Sequence, residues 1–257
     1  MNRKDADWPA VLEQLKPLVR DSSHLLELVD AHLKPREETD EQRRWQIESA
    51  KRKRKEERKS ARARASWIKF WEEIVREPDA VFHPNRAGTT AWNLWHAMER
   101  SGPRSRESGW NRELIERQFG KDIADRLRIA MMAAWRADTP TLESERPDDA
   151  KNTYLVRWQV GLAGVFAEAE DPNWAQQLTE SEAELACRYA PLQLNGFPSW
   201  LENLVAWHPA AVDRILGEEL SRSLDEVATA GGYSIALQNM GSSPVLAPFF
   251  VRRIRTW

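Results

Sequence analysis

Residues 41–66 read EQRRWQIESAKRKRKEERKSARARAS, a run with neither glycine nor proline. Glu, Lys, Arg, Gln and Ala, which supply most of it, are strong helix formers. No glycine or proline occurs between Pro35 and Pro78, which predicts one long helix ending near Arg76. Opposite charges recur at helical spacing (Asp40–Arg44, Glu48–Arg52, Arg52–Glu56, Lys53–Glu57). Such pairs support an exposed helix by a few tenths of a kcal/mol each. Trp45 and Ile47 are followed by little but alanine, so there is no a/d seam and no coiled coil is expected. Apolar periodicity returns at Trp67, Ile68, Phe70, Trp71 and Ile74, where the helix is expected to dock on a core.

The same stretch holds eleven Lys/Arg against four Glu, a formal charge of +7, while the rest of the chain has 27 basic and 36 acidic residues, or −9. A near-neutral total therefore hides a basic helix joined to an acidic remainder. A helix of this charge must be solvated, paired with acidic surface, or bound to a polyanion. Its candidate polyanion- or partner-binding residues are Lys51, Arg52, Lys53, Arg54, Lys55, Arg58, Lys59, Arg62 and Arg64. Nucleic acid bound here would be held by its phosphates and released by salt. The helix has no interleaved aromatic residue apart from Trp45, and no dimerising heptad follows it as in a basic zipper.

On either side the helix period persists. Trp8–Arg20 and Asp21–Leu33 read as a short helical hairpin, with Leu25, Leu28 and His32 roughly on one face. The domain boundaries expected are 1–34 for this hairpin, 35–78 for the charged helix and 79–257 for a helical body. In the body DAVFHPNRAGTT reads as a loop, and short helices follow between Gly- or Pro-marked turns. Capping boxes are expected at Thr179–Glu182 and Ser199–Glu202. The fold class is all-α, an irregular HEAT-like helical-repeat or stacked-hairpin body with a long basic helix before it.

The 257 residues include thirteen tryptophans and one cysteine, Cys187. A single cysteine excludes an internal disulfide, and its amphipathic surroundings make it a packed hydrophobe. There is no signal-peptide-like or membrane-length apolar run, so a soluble cytoplasmic protein is expected and no membrane partner. The five histidines lack metal-site spacing, and no phosphate-binding loop or nucleophile elbow occurs. No cofactor, metal or catalytic residue is assigned. Trp67/Trp71, Trp92/Trp95 and Trp200/Trp207 each fall on one helix face, either as packing or as a stacking platform. Glu145, Arg146, Asp148 and Asp149 form a polar knot that reads as a connector or a site loop, and a pocket near Trp110, Arg146 and Trp158 would signal an enzyme. Val251, Ile254 and Trp257 make an apolar edge expected to be covered by a partner or a further helical pair.

Several strings together (TAWNLWHAM, SGWNRELIERQFG, PTLESERP, NTYLVRWQVGLAGVFAEAEDP, RYAPLQLNGFPSWLE) resemble the helical region of large bacterial ATP-binding proteins of the NACHT or STAND type, over about residues 61–257. That resemblance implies a sensing or scaffolding array beside an NTPase core, with ATP hydrolysis carried by no residue of this chain. The function expected is a non-catalytic scaffold or sensor segment acting through protein contacts. The alternative is a nucleic-acid-associated module using the basic helix.

Overall fold

Proline placement explains much of the helix layout in a computed structural model that describes residues 8–33, 39–99, 109–151, 153, 155–193, 196–230 and 235–256. In the first hairpin α1 is Trp8–Leu15 and α2 is Ser23–Leu33. Pro17 cannot donate the bond a continuing α-helix needs, so Lys16–Val19 tightens into a 3-10 turn. The unbroken run becomes α3, Asp40–Arg76.

The segment expected as a loop is helical instead. Pro78 and Pro84 each take the first turn of a helix, where a missing N–H costs nothing. They open α4 (Pro78–Val81) and α5 (Pro84–Glu99), and Asn85, Gly88 and Thr89 lie inside the second. Thr90 ties the two together by donating to the Val81 carbonyl at 2.7 Å. Next come α6 (Arg112–Phe119), capped by the Asn111 side chain, and α7 (Lys121–Arg136), entered through Gly120 at φ 88°. The connector after α7 holds two 3-10 turns, Glu143–Glu145 and Asp148–Ala150. Then follow α8 (Val156–Glu168), α9 (Trp174–Gln177), α10 (Glu180–Tyr189), α11 (Leu201–Trp207) and α12 (Pro209–Val212). A π turn at Asp213–Gly217 leads into α13 (Glu218–Ala230), before α14 (Ile235–Ser242) and α15 (Ala247–Thr256). No strand occurs among the described residues, and the fold is all-α.

The chain divides into two compact units, Met1–Ile68 and Lys69–Trp257. The division falls inside α3 rather than at its ends, because the last turns of α3 join the second unit's core. Ile74 is wholly buried there, Phe70 packs beside it, and Trp71 meets Phe119 with ring centroids 4.7 Å apart. Ile68, expected to dock with them, is 55% exposed.

The second unit has two apolar clusters that share one helix. Val160, Ala163 and Ala167 of α8 enter a cluster with Ile74, Leu94, Met98, Leu127 and Met131. Trp158, Leu162 and Val165 of the same helix enter another with Trp135, Trp174, Tyr189, Trp200, Leu204 and Leu216. A helix buried on nearly every side needs small residues where its neighbours come closest. Gly164 meets the backbone of Met131 in α7, and Gly161 meets the ring of Tyr189, so a Cβ at either would collide. Arg136 braces the helices from outside. It donates to both carboxylate oxygens of Glu168, at 2.5 and 2.7 Å, and to Glu182 at 2.8 Å, while its guanidinium lies 4.2 Å from the Trp135 ring centre.

Candidate functional site

The α-helical repeat sorts the basic residues of α3 in a way their order in the chain conceals. At 100° per residue, Lys51, Arg54, Lys55, Arg58, Lys59 and Arg62 fall within one side of the cylinder. These six line one continuous shallow surface. Glu56 and Glu57 fall on the opposite side, together with Lys53 and Arg64, while Arg52 stands on the flank, about 20° beyond Lys59. Of the nine candidate residues, six are therefore brought together and three are not. Glu48 stands at the N-terminal edge of the stripe. Along the axis the six cations occupy about 16 Å, at 1.5 Å per residue.

Every residue from 39 to 66 is exposed. The pairs expected to steady this helix, Asp40–Arg44, Glu48–Arg52, Arg52–Glu56 and Lys53–Glu57, do not close. The ion pair that does form is Asp40–Arg43, at 3.9 Å. Water solvates such exposed groups well, and holding two long side chains together costs rotamer entropy. On the stripe itself the close neighbours repel. Lys51–Lys55, Arg54–Arg58, Lys55–Lys59 and Arg58–Arg62 are like-charge pairs at i, i+4, and Lys51–Arg54, Lys55–Arg58 and Lys59–Arg62 at i, i+3. Sequence inspection by charge count missed this segregation, although the 3.6-residue period was enough to reveal it.

The other candidate positions are absorbed by packing. Cys187 is wholly buried, and burial pushes its thiol far above the ordinary range. Among the described residues no three His, Cys, Asp or Glu side chains come together as a metal site would require. His208 is spent on the Ala175 carbonyl at 2.7 Å. Trp92 and Trp95 pack at 6.4 Å with His96 beside both. Trp200 is 3% exposed and packs on Trp174, whereas Trp207 is 55% exposed, so the two do not form one open stacking surface. Trp200 is the N-cap of α11, and the expected Ser199–Glu202 capping box does not form.

The polar knot is a brace. Arg188 grips Glu145 with two bonds, at 2.8 and 2.9 Å, and holds its carboxyl below the usual range. Arg146 stacks 5.0 Å from the Trp158 ring centre and donates to the Lys151 carbonyl at 3.1 Å. Trp110 sits in the other cluster and donates to Glu170 at 2.7 Å, so Trp110, Arg146 and Trp158 do not line a common pocket. Asp149 is exposed, and the side chain of Asp148 lies outside the described residues. Of the C-terminal edge, Val251 is 47% and Ile254 44% exposed, and Trp257 lies outside the described residues.

What fold and site together define is an all-α chain carrying a one-sided cationic helix. Compared with family models, curated proteins and solved structures, the chain matches none.

Proposed function

We propose that this chain is a non-catalytic helical module that binds the phosphates of nucleic acid through Lys51, Arg54, Lys55, Arg58, Lys59 and Arg62, while its helical body serves as a scaffold for protein contacts. The observation that carries the reading is the placement of these cations. A helix that only needs solvation distributes both signs around itself and gains from i, i+4 attraction. Here Glu56 and Glu57 lie at the back, Glu48 stands only at the stripe's N-terminal edge, and the rest of the front consists of repelling pairs, a cost that a polyanion removes. The spacing also matches. One strand of a duplex offers a phosphate every 3.4 Å along the axis, so roughly five lie beside a 16 Å stripe. No base-reading geometry accompanies the stripe, which makes the binding independent of sequence.

HEAT-like pairing of the body helices, and a place in a larger bacterial NTPase system as the resemblance implies, belong to the same proposal. The pairing is supported by the recurring short helices of the second unit, and the association with an NTPase rests on the resemblance alone. Within such a system the chain supplies surface, not hydrolysis.

A salt titration tests the main reading. Binding to a labelled duplex of mixed sequence, followed by anisotropy, should show log K falling against log salt with a slope of roughly −5. Changing Lys55, Arg58, Lys59 and Arg62 to Gln should reduce the magnitude of that slope by roughly 3–4. The same four-residue change leaving affinity and slope intact would end the proposal.

A further inference from the structure

The hairpin of α1 and α2 has more apolar surface than two helices can use. Its inner faces are half-buried: Leu12 and Val19 on one side, Leu26, Val29 and Leu33 on the other, with Lys16 bonded to Asp30 at 3.1 Å across the pair. That ion pair and the short turn after Val19 make the helices antiparallel. No residue of Lys16–Val19 or of α2 is fully buried. One position before Leu12, Lys16, Val19, Leu26 and Val29 stands a second row of large apolar side chains. Val11 is 39%, Leu15 38%, Leu18 79%, Leu25 45% and Leu28 44% exposed.

In an antiparallel pair, stepping back one residue turns both helices toward the same side of the pair. The second rows of α1 and α2 therefore form one surface. A two-helix contact uses a single stripe, whereas a helix within a four-helix bundle carries two adjacent stripes, one for each neighbour. The rows Val11, Leu15, Leu18 and Leu25, Leu28 keep the spacing of the inner rows, so this hairpin has the pattern of half a bundle.

We infer that the exposed face of the α1–α2 hairpin is a homodimer interface, covered by the same face of a second copy to complete a four-helix bundle. Three observations favour that occupant. The face repeats the Leu and Val chemistry and spacing of the contact the hairpin already makes with itself, as an isologous interface requires. Residues 10–33 hold four acids and two bases, so two copies meet with little repulsion, unlike two copies of the basic stripe. The five side chains expose roughly 400 Å² of apolar surface, as large as the biggest patch on many monomers. Two such faces bring together roughly 800 Å² of apolar surface, and their polar rims extend it toward the ~1,200 Å² of the smaller specific interfaces. The helices, of 8 and 11 residues, are also too short to be stable without such cover.

Sedimentation equilibrium of the full chain over a concentration series reads the outcome. The expected mass is twice the 29.7 kDa of one chain. Leu18→Glu with Leu28→Glu should return it to one chain, and the milder Leu18→Gln with Leu28→Gln should weaken pairing at least tenfold, both with the circular dichroism of the helical body retained. Val251→Glu with Ile254→Glu, on α15, should leave the dimer intact, as should neutralising the basic stripe. A wild-type chain that stays monomeric throughout, a dimer that survives both hairpin variants, or one dissociated only by the α15 variant would each overturn the inference.

Discussion

Gly161 and Gly164 decide how closely three helices approach, and their effect separates sharply from that of a glycine with space around it. A Cβ at Gly164 strikes the carbonyl oxygen of Met131, which belongs to backbone and has no rotamer to adopt. Gly164→Ala is expected to destabilise the second unit by about 3 kcal/mol, the upper range for overpacking. Gly88, inside α5, has nothing within 4 Å of the place an alanine methyl would take. Gly88→Ala should therefore stabilise by about 0.5–1 kcal/mol, by removing unfolded-state freedom. Paired urea titrations of the two variants check the sign of each. Glu182 offers a pH test at the same scale. The Thr179 N–H and then the Arg136 guanidinium lower its carboxyl from 4.5 to about 2. Since the folded value is the lower one, this stabilisation is complete above 4.5 and is lost as pH falls toward 2. Glu182→Gln should flatten the loss of stability across that window, read as the urea midpoint against pH. A loss as steep as in the wild type would show that other carboxylates carry it.

Among the elements, α3 and α10 show how differently local signals behave. The Thr179–Glu182 box forms as expected, with Thr179 accepting from the Glu182 N–H and Glu182 accepting in return at 2.9 Å. The similar Ser199–Glu202 pattern fails, since Trp200 is drawn into the core beside Trp174 and the helix starts only at Leu201. Burying an indole outweighs a cap worth about 1 kcal/mol. In α3 the helix itself was legible from the absence of breakers, but the attractive pairs it suggested are open and the stripe repels. The amides of residues 51–62 should consequently exchange quickly at low ionic strength and slow at least severalfold when a nucleic acid or high salt covers the stripe. Hydrogen exchange measured by mass spectrometry checks this, and protection indifferent to both would mean that repulsion does not govern the helix.

For the whole molecule the two units differ in what holds them. Lys69–Trp257 has buried clusters built around α8 and cross-braced by Arg136, Arg146 and Arg188. The described hairpin of Met1–Ile68 has half-buried contacts and an apolar face to spare. Heat should therefore melt the chain in two steps, the first depending on protein concentration if the hairpin pairs with a second copy, the second not. Calorimetry at two concentrations distinguishes this from a single cooperative transition. No helix among the described residues is long and apolar enough to cross a membrane.

Read alone, the chain determined its all-α class, the long helix without breakers and the separation of basic from acidic segments. These depend on propensity, period and charge, which act between residues a few positions apart. Only tertiary structure decided that α8 would be enclosed, that α3 would be divided at Ile68, and that Arg136 would reach Glu168 and Ser144 would bond Glu219. Such partners lie 32 and 75 residues apart. Their meeting depends on which greasy faces bury one another, and many amphipathic helices present faces of nearly equal quality, so local pattern leaves the choice open.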